Sequence, residues 1–336
     1  MSKLVGDFSE RELIARIQQR LPQAPRWMAV GVGDDAAVVE PERNRLDVLS
    51  VDALVEGVHF DRAFTPPAAI GHRALAVNLS DLAAMGATPR LCLLSLVLPA
   101  SWPVADFEGT IEGLLALAAR HRMHVAGGNI ARSPGPLVID VTVSGTVKRR
   151  QISTRSGARP GDELYVTGSL GAATAGLEML RDDAGSAGDH DVCARRYLYP
   201  EPRVRFGQLA ARNRVASACV DLSDGLADGV HRLAEASGVG AIVHADALPI
   251  EPSARAWFDG HSGDTLTRTL SGGDDYELLL AVRPRARRRL AEVTRLGGVP
   301  LTRVGMCTTE RAVLLRCGSG SQTADRDLPG GYGHFR

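Results

Sequence analysis

The sequence predicts a mixed α/β fold of the α+β kind, built as two domains. Three observations predict it. The chain has 336 residues, and at roughly 100–200 residues per domain that length accommodates two cores. Short β-rich runs alternate with helical stretches from one end to the other. Leu137–Val147 alternates apolar and polar residues, the pattern of an antiparallel or mixed sheet with one covered face. With 44% hydrophobic and 23% charged residues, the composition is that of an ordinary globular protein.

Taken in order, Ser9 and Glu12 stand at capping-box spacing and open an amphipathic helix through Arg20, which Pro22 and Pro25 close. A strand is expected over Asp47–Val51, a helix over Pro67–Met85 and a strand over Leu91–Leu98. A helix over Val104–Arg122 and the strand Leu137–Val147 follow. The polar, Arg-rich stretch Lys148–Asp162 is the expected boundary, dividing residues 1–148 from residues 149–336. Beyond it come a strand over Leu164–Thr167 and helices over Gly171–Arg181 and Arg203–Asn213, with Asp182–Asp191 between the helices as a surface loop. Strands are then expected over Ala218–Leu222, Ala241–His244, Tyr276–Val282, Leu301–Val304 and Ala312–Leu315. Helices over Asp224–Ser237 and Arg285–Arg295 complete the second half.

Several function classes are disfavoured at once. Lys plus Arg and Asp plus Glu are both 39, so the whole chain carries no basic footprint for nucleic acid. Cys92, Cys193, Cys219, Cys307 and Cys317 are scattered and never spaced C-x-x-C, which speaks against a disulfide framework or zinc ribbon and for a reducing compartment. The N-terminus lacks the apolar core of a signal peptide. The longest apolar stretch, Leu91–Leu98, falls far short of the roughly 18 residues that span a bilayer. The expectation is a cytoplasmic protein without a membrane partner. The only lysines are Lys3 and Lys148, and neither belongs to a Walker-type phosphate loop.

Carboxylates concentrate at junctions between apolar runs and loops. Asp34 and Asp35 lie in G-V-G-D-D-A-A, Asp52 in S-V-D-A-L and Asp81 in V-N-L-S-D-L-A-A-M-G-A. Asp221 and Asp224 lie in D-L-S-D-G-L, and Asp274 and Asp275 in S-G-G-D-D-Y-E-L. Crowded carboxylates repel unless cations neutralise them. Oxygen-rich loops of this kind suit Mg²⁺, which shares its shell with water and substrate phosphates. Any one such Asp is equally an N-cap or a turn residue; the repetition is what favours a metal–phosphate site. His59, in E-G-V-H-F, is of interest only for its proximity to Asp52. Gly127-Gly128-Asn129 ends a short apolar run, where a glycine pair admits a phosphate or simply makes a turn. Arg155 offers a planar fork for phosphate or stays a solvated surface Arg. Tyr332, flanked by glycines in the tail, stacks on a ring or anchors the terminus.

In series, G-V-G-D-D-A-A, V-D-A-L-V-E-G-V-H-F, L-A-V-N-L-S-D-L-A-A-M-G-A, T-R-S-G-A-R-P-G-D, D-L-S-D-G-L, S-G-G-D-D-Y-E-L and G-G-Y-G-H-F resemble the thiamine-monophosphate kinase family. That family belongs to the superfamily of aminoimidazole ribonucleotide synthetase and selenophosphate synthetase. The resemblance runs from about Asp7 to the C-terminus. It implies an N-terminal domain that binds metal and ATP and pairs with its twin in a homodimer, and a C-terminal α/β sandwich that completes the site. It implies ATP-dependent phosphorylation of thiamine monophosphate to thiamine diphosphate with several Mg²⁺ ions. By motif position, Asp35, Asp52, Asp81, Asp221 and Asp224 would be metal carboxylates, with Ser50 and the Val51 carbonyl completing the first cluster. Gly128, Asn129, Arg155 and Ser223 would contact ATP; His59, Asp274 and Tyr332 would contact thiamine phosphate.

Two departures stand out. Where the family has G-G-D-T, this chain has Asn129, so a metal carboxylate is lost, and Asp274 replaces a longer Glu. The chemistry needs no general base and no covalent nucleophile, because a phosphate monoester is already ionised at neutral pH. Repulsion between two anionic phosphates is the obstacle, and positioning with charge neutralisation removes it. The rival expectations are another phosphotransferase or synthetase of the superfamily and a non-catalytic nucleotide-binding dimer. Selenophosphate synthesis is disfavoured by the lack of a reactive Cys near the N-terminus.

Overall fold

The computed structural model describes residues 3–182, 192–261, 264–318 and 323–331. They form two compact units, Met1–Leu82 with Thr88–Arg149, and Ala83–Ala87 with Arg150–Arg336.

In the first unit, α1 (Glu10–Gln18) begins at the expected capping box. Glu12 N–H donates to Ser9 Oγ, and Ser9 N–H donates to the Glu12 carboxylate at 2.8 Å. Next, β1 (Met28–Val30) and β2 (Val38–Val39) pair antiparallel and enclose the G-D-D loop. Then come β3 (Leu46–Val55), α2 (Pro67–Ala84), β4 (Thr88–Pro99), α3 (Val104–Arg120), β5 (His124–Ser133) and β6 (Val138–Val147). Strands β3, β6, β4 and β5 lie in that order in one sheet. Only β4 and β5 pair parallel, and α3 supplies the crossover a parallel pair needs.

One face of this sheet carries Cys92, Leu94, Leu96, Leu98, Ile139, Val141 and Val143, all buried. Helices pack there: a Cβ at Gly145, on the same face, would lie 3.2 Å from Leu82 of α2. Helices α2 and α3 cross closely, since a Cβ at Gly71 or Gly113 would sit 1.8 or 2.0 Å from a carbonyl of the other helix. On the opposite face Leu49, Val51 and Leu93 are 71%, 56% and 40% exposed.

The second unit holds β7 (Glu163–Thr167), α4 (Ala172–Asp182), α5 (Val192–Leu198), α6 (Val204–Asn213), β8 (Ala216–Asp221) and α7 (Leu226–Ser237). It continues with β9 (Gly240–His244), α8 (Pro252–Gly260), α9 (Thr265–Ser271), β10 (Leu278–Val282) and α10 (Arg287–Gly297). Strands β11 (Leu301–Thr308), β12 (Val313–Cys317) and β13 (Ala324–Asp327) end it. The sheet order is β13-β12-β9-β11-β7-β10-β8, with only β12 and β9 parallel. Every residue of β10, which pairs with β7 on one side and β8 on the other, is buried. Leu226, Val230 and Leu233 of α7 join Val166, Val220, Leu279 and Val304 of the sheet in one core.

Several expectations shift. Gly127-Gly128-Asn129 does not end a run in a turn; it lies inside β5. Glycines lower strand propensity, and here pairing with β4 overrides it. The Gly128 position demands its residue, because a Cβ there would lie 1.9 Å from the Leu94 carbonyl oxygen. The strand expected from Tyr276 begins only at Leu278, since Asp274 and Tyr276 hold φ of 68° and 48°. The helix expected from Asp224 begins at Leu226, which leaves Asp224 in the preceding loop. Short α5, α8 and α9 were unexpected, although Asp264 caps α9 by accepting from Leu266 and Thr267 N–H. Of the expected loop Asp182–Asp191, residues 183–191 lie outside the described residues.

Candidate active site

The first unit groups Ser50, Asp52 and Asp81. Alternation along β3 puts Ser50 and Asp52 on one face with the buried Leu54. Ser50 Oγ donates a short hydrogen bond to the Asp81 carboxylate, which projects from the last turns of α2. Val51 points to the exposed face, so only its backbone could serve the same ligand.

His59 follows the end of β3. Its Nδ1 accepts the Val55 N–H at 3.0 Å, so in the neutral ring Nε2 carries the proton and is a donor. Its carbonyl accepts from the guanidinium of buried Arg73 at 3.3 Å. Arg73 is a contributor that motif reading missed.

The loop with Asp34 and Asp35 is tethered at its start and braced within. Gln18 Nε2 donates to the Val32 carbonyl at 3.1 Å, and Asp34 Oδ1 accepts the Asp35 N–H at 2.9 Å. At its base, the Arg90 guanidinium lies 4.3 Å from the Trp27 ring centre and donates to the Glu40 carbonyl. Trp27 meets His124 edge-on at 5.7 Å.

Register places Asn129 beside Ser95, and Ser95 beside Asp140 of β6. Gly128 instead shares a row with Leu94, Val141 and Asp52. The Asn129 side chain therefore lies on the sheet face opposite Ser50, Asp52 and Asp81. Asp140 is a carboxylate in the Asn129 row that sequence reading passed over as an ordinary polar position of its strand.

In the second unit the structure interlocks D-L-S-D-G-L with S-G-G-D-D-Y-E-L. Asp221 at the end of β8 pairs with Leu278 at the start of β10. Beyond them, Leu222 N–H donates to the Glu277 carbonyl at 2.9 Å, Tyr276 N–H to Leu222 at 3.0 Å and Asp274 N–H to Ser223 at 2.8 Å. Tyr276 Oη donates to Asp274 Oδ1 at 3.0 Å, and Ser223 Oγ to Asp224 Oδ2 at 3.0 Å.

Arg232 reaches both Asp224 at 3.2 Å and Asp228, in the first turn of α7, at 2.5 Å. Burial raises Asp228 above the usual carboxylate value; Arg232 opposes this and Asp224 reinforces it. Arg155 also favours the charged Asp228, and the Arg155 carbonyl accepts from Ser237 Oγ at 3.2 Å. Asp228 was not among the sequence candidates; its i+4 spacing from Asp224 was the available signal.

The tail comes to the same place. His231 Nε2 lies 3.2 Å from the Leu328 carbonyl, and Ser271 Oγ donates to Gly330 at 2.8 Å. A Cβ on Gly331 would lie 2.4 Å from the Asp224 carbonyl oxygen. Tyr332 itself lies outside the described residues.

Among the described residues, no three Asp, Glu, His or Cys side chains converge as a self-sufficient metal site. What they offer is carboxylate and hydroxyl oxygen in small groups: Ser50 with Asp81, and Ser223 with Asp224. Such a donor set fits Mg²⁺, which keeps several waters and binds through one or two carboxylates plus phosphate.

The model for the AIR synthase related protein N-terminal domain matches residues 33–147, and that for the C-terminal domain matches residues 159–315. The thiamine-monophosphate kinase of Salmonella typhimurium is 39% identical over 313 residues, covering 91% of both chains. The chain belongs to the thiamine-monophosphate kinase family. The crystal structure of the kinase from Stenotrophomonas maltophilia K279a superposes with a TM-score of 0.79 at 36% identity, covering 91% of this chain and 94% of that one. AaThiL complexed with AMPPCP and TMP gives a TM-score of 0.74 at 30% identity, covering 92% and 94%.

One pH dependence follows from the buried neighbour of Asp274 in this kinase-family fold. Asp275 accepts from Gly171 N–H at 2.7 Å and Ala173 N–H at 3.3 Å, capping α4 from a distant part of the chain. Burial pushes it up to about 7, against these hydrogen bonds and Arg196. A raised carboxyl stabilises the fold fully below its unfolded value and loses that contribution as pH rises through about 7. Asp275→Asn cannot ionise, so its melting temperature relative to wild type should become more positive between pH 5 and pH 8. Thermal melts across that range check this; a constant difference would show that Asp275 does not titrate there.

Proposed function

We propose that the chain transfers the γ-phosphoryl group of ATP directly to thiamine monophosphate, forming thiamine diphosphate, with Mg²⁺ as the neutralising ion. The observation that carries this reading is identity of up to 39% to thiamine-monophosphate kinases over about nine-tenths of the chain or more. Turnover of ATP with thiamine monophosphate and a small panel of phosphorylated acceptors tests it. Thiamine diphosphate as the preferred product is expected, and ATP binding without any product would favour the non-catalytic dimer.

In the first unit Asp35, Ser50, the Val51 carbonyl, Asp52 and Asp81 would hold Mg²⁺, and in the second Asp221 and Asp224 would do so. When bound, Mg²⁺ supplies the positive charge that lets two anionic phosphates approach. Gly128, Asn129, Arg155 and Ser223 are assigned to ATP, with the Arg155 fork suited to phosphate oxygens. His59, through the Nε2 proton fixed by its bond from Val55, would donate to the acceptor phosphate. Asp274 would place its carboxylate against the cationic thiazolium of the substrate, and Tyr332 would contact the same molecule. The acceptor oxygen needs no proton removed, so these residues orient and neutralise.

Asp81→Asn keeps an acceptor for Ser50 but removes the charge. Activity at ordinary Mg²⁺ should fall on the order of a hundredfold, the scale of losing one group that stabilises transferring charge. Near wild-type turnover would contradict a metal role for Asp81.

On the face opposite Asp52 and Asp81, Asn129 would serve a separate, nucleotide-associated Mg²⁺, and Asn129→Asp restores a charged oxygen ligand to that ion. It should lower the Mg²⁺ concentration for half-maximal rate and leave acceptor preference unchanged. Superimposable Mg²⁺ titrations of the two proteins would reject Asn129 as a metal-facing position.

The apolar face with Leu49, Val51 and Leu93 supports a homodimer through the first unit. Light scattering at micromolar concentration should give a dimer for wild type and a monomer for Leu93→Asp. A monomeric wild type would contradict the proposal.

A further inference from the structure

Beneath the loop that carries Asp274 lies a buried ionic knot, inside the second unit, to which none of the roles above refers. Glu277 is fully buried. Its Oε1 accepts from Arg196 Nη2 at 2.5 Å and from Arg203 Nη2, and its Oε2 accepts from Arg203 Nε at 2.7 Å and Thr167 Oγ1 at 2.6 Å. Arg203 thus grips the carboxylate with both arms of its fork. Thr167 Oγ1 also accepts the Leu278 N–H at 2.8 Å, so its own proton is committed to Glu277. The fit is tight, because a Cβ at Gly168 would lie 2.0 Å from Glu277 Oε1.

The knot sits next to backbone that is costly to hold. Asp274 and Tyr276 both have positive φ, 68° and 48°, a conformation that non-glycine residues keep only when their surroundings impose it. The intervening Asp275 is anchored to the α4 amides, and Glu277 to the arginines. Two inward anchors at alternate positions hold Asp274 and Tyr276 against Ser223 and Leu222.

We propose that Glu277, through Arg196, Arg203 and Thr167, is a positioning residue that locks the Asp274 loop in its left-handed conformation and so sets the acceptor-binding geometry. The acceptor part of this proposal rests on the assignment of Asp274 to thiamine monophosphate; the loop-locking part does not. Removing the carboxylate leaves two half-buried guanidinium groups sharing one uncompensated site, so Glu277→Gln risks failing to fold. Arg203→Lys keeps the charge but loses the two-armed grip, and Thr167→Val removes one hydroxyl from a site of the same shape.

The test combines amide hydrogen exchange with steady-state kinetics on the full chain. In Arg203→Lys and Thr167→Val, exchange of the Asp274 and Tyr276 amides should accelerate about tenfold, while the buried β10 amides of residues 279–282 stay protected. KM for thiamine monophosphate should rise about tenfold, the scale of one weakened charge-assisted hydrogen bond. In an Asp274→Ala background, Arg203→Lys should leave KM unchanged, because the residue through which it acts is gone. Unchanged loop exchange, acceleration spread equally over β7 and β10, or a KM effect that persists without Asp274 would overturn the proposal. A wild-type protein that does not phosphorylate thiamine monophosphate would overturn the functional reading alone, and the exchange data would still decide whether Glu277 locks the loop.

Discussion

The buried Glu277 carboxylate is the interaction on which the second unit's acidic loops depend. Two half-buried arginines converge on it, and its negative charge compensates the water each guanidinium gives up. From this point the chain runs outward into Asp275, which caps α4, and into Asp274, which meets Ser223 backbone to backbone. The Glu277 carbonyl takes the Leu222 N–H at the exit of β8. A neutralised charge in the interior thereby holds together the loops that carry the buried Asp221 and the half-buried Asp224 and Asp228, whose carboxylates repel one another.

The first unit solves the same problem with other means. Its carboxylates are distributed over a strand, a helix and a loop, so Asp52 and Asp81 gain fixed positions from regular structure. The G-D-D loop is tethered through Gln18 and by the stacking of Arg90 on Trp27. Neither unit presents a finished metal cage among its described residues. That arrangement suits phosphoryl transfer, because a metal that must also bind substrate phosphates needs coordination positions left for them.

Much of this was legible in the sequence, for identifiable reasons. The capping box at Ser9, the alternation of Leu137–Val147 and the apolar run at Leu91–Leu98 are local signals, and each marks an element at nearly its observed place. The acidic motifs also announced themselves, since Asp beside Gly or Ser at the end of an apolar run is unusual when repeated. What stayed hidden depends on contacts between distant segments. Strand β5 has two central glycines and owes its existence to β4. Glu277 reads as one more residue of a strand until Arg196 and Arg203 fold onto it, and Arg73 reads as a surface cation until it is buried behind His59. The positive φ at Asp274 and Tyr276 has no sequence signature, because neither residue is glycine.

The central claim is that this site orients and neutralises, with no residue forming a bond to phosphorus. The stereochemical course of transfer tests it most directly, using ATP made chiral at the γ-phosphorus with oxygen isotopes and thiophosphate. A single in-line displacement inverts configuration in the thiamine diphosphate product, and inversion is the predicted result. Retention would require a covalent phosphoenzyme and would contradict the account.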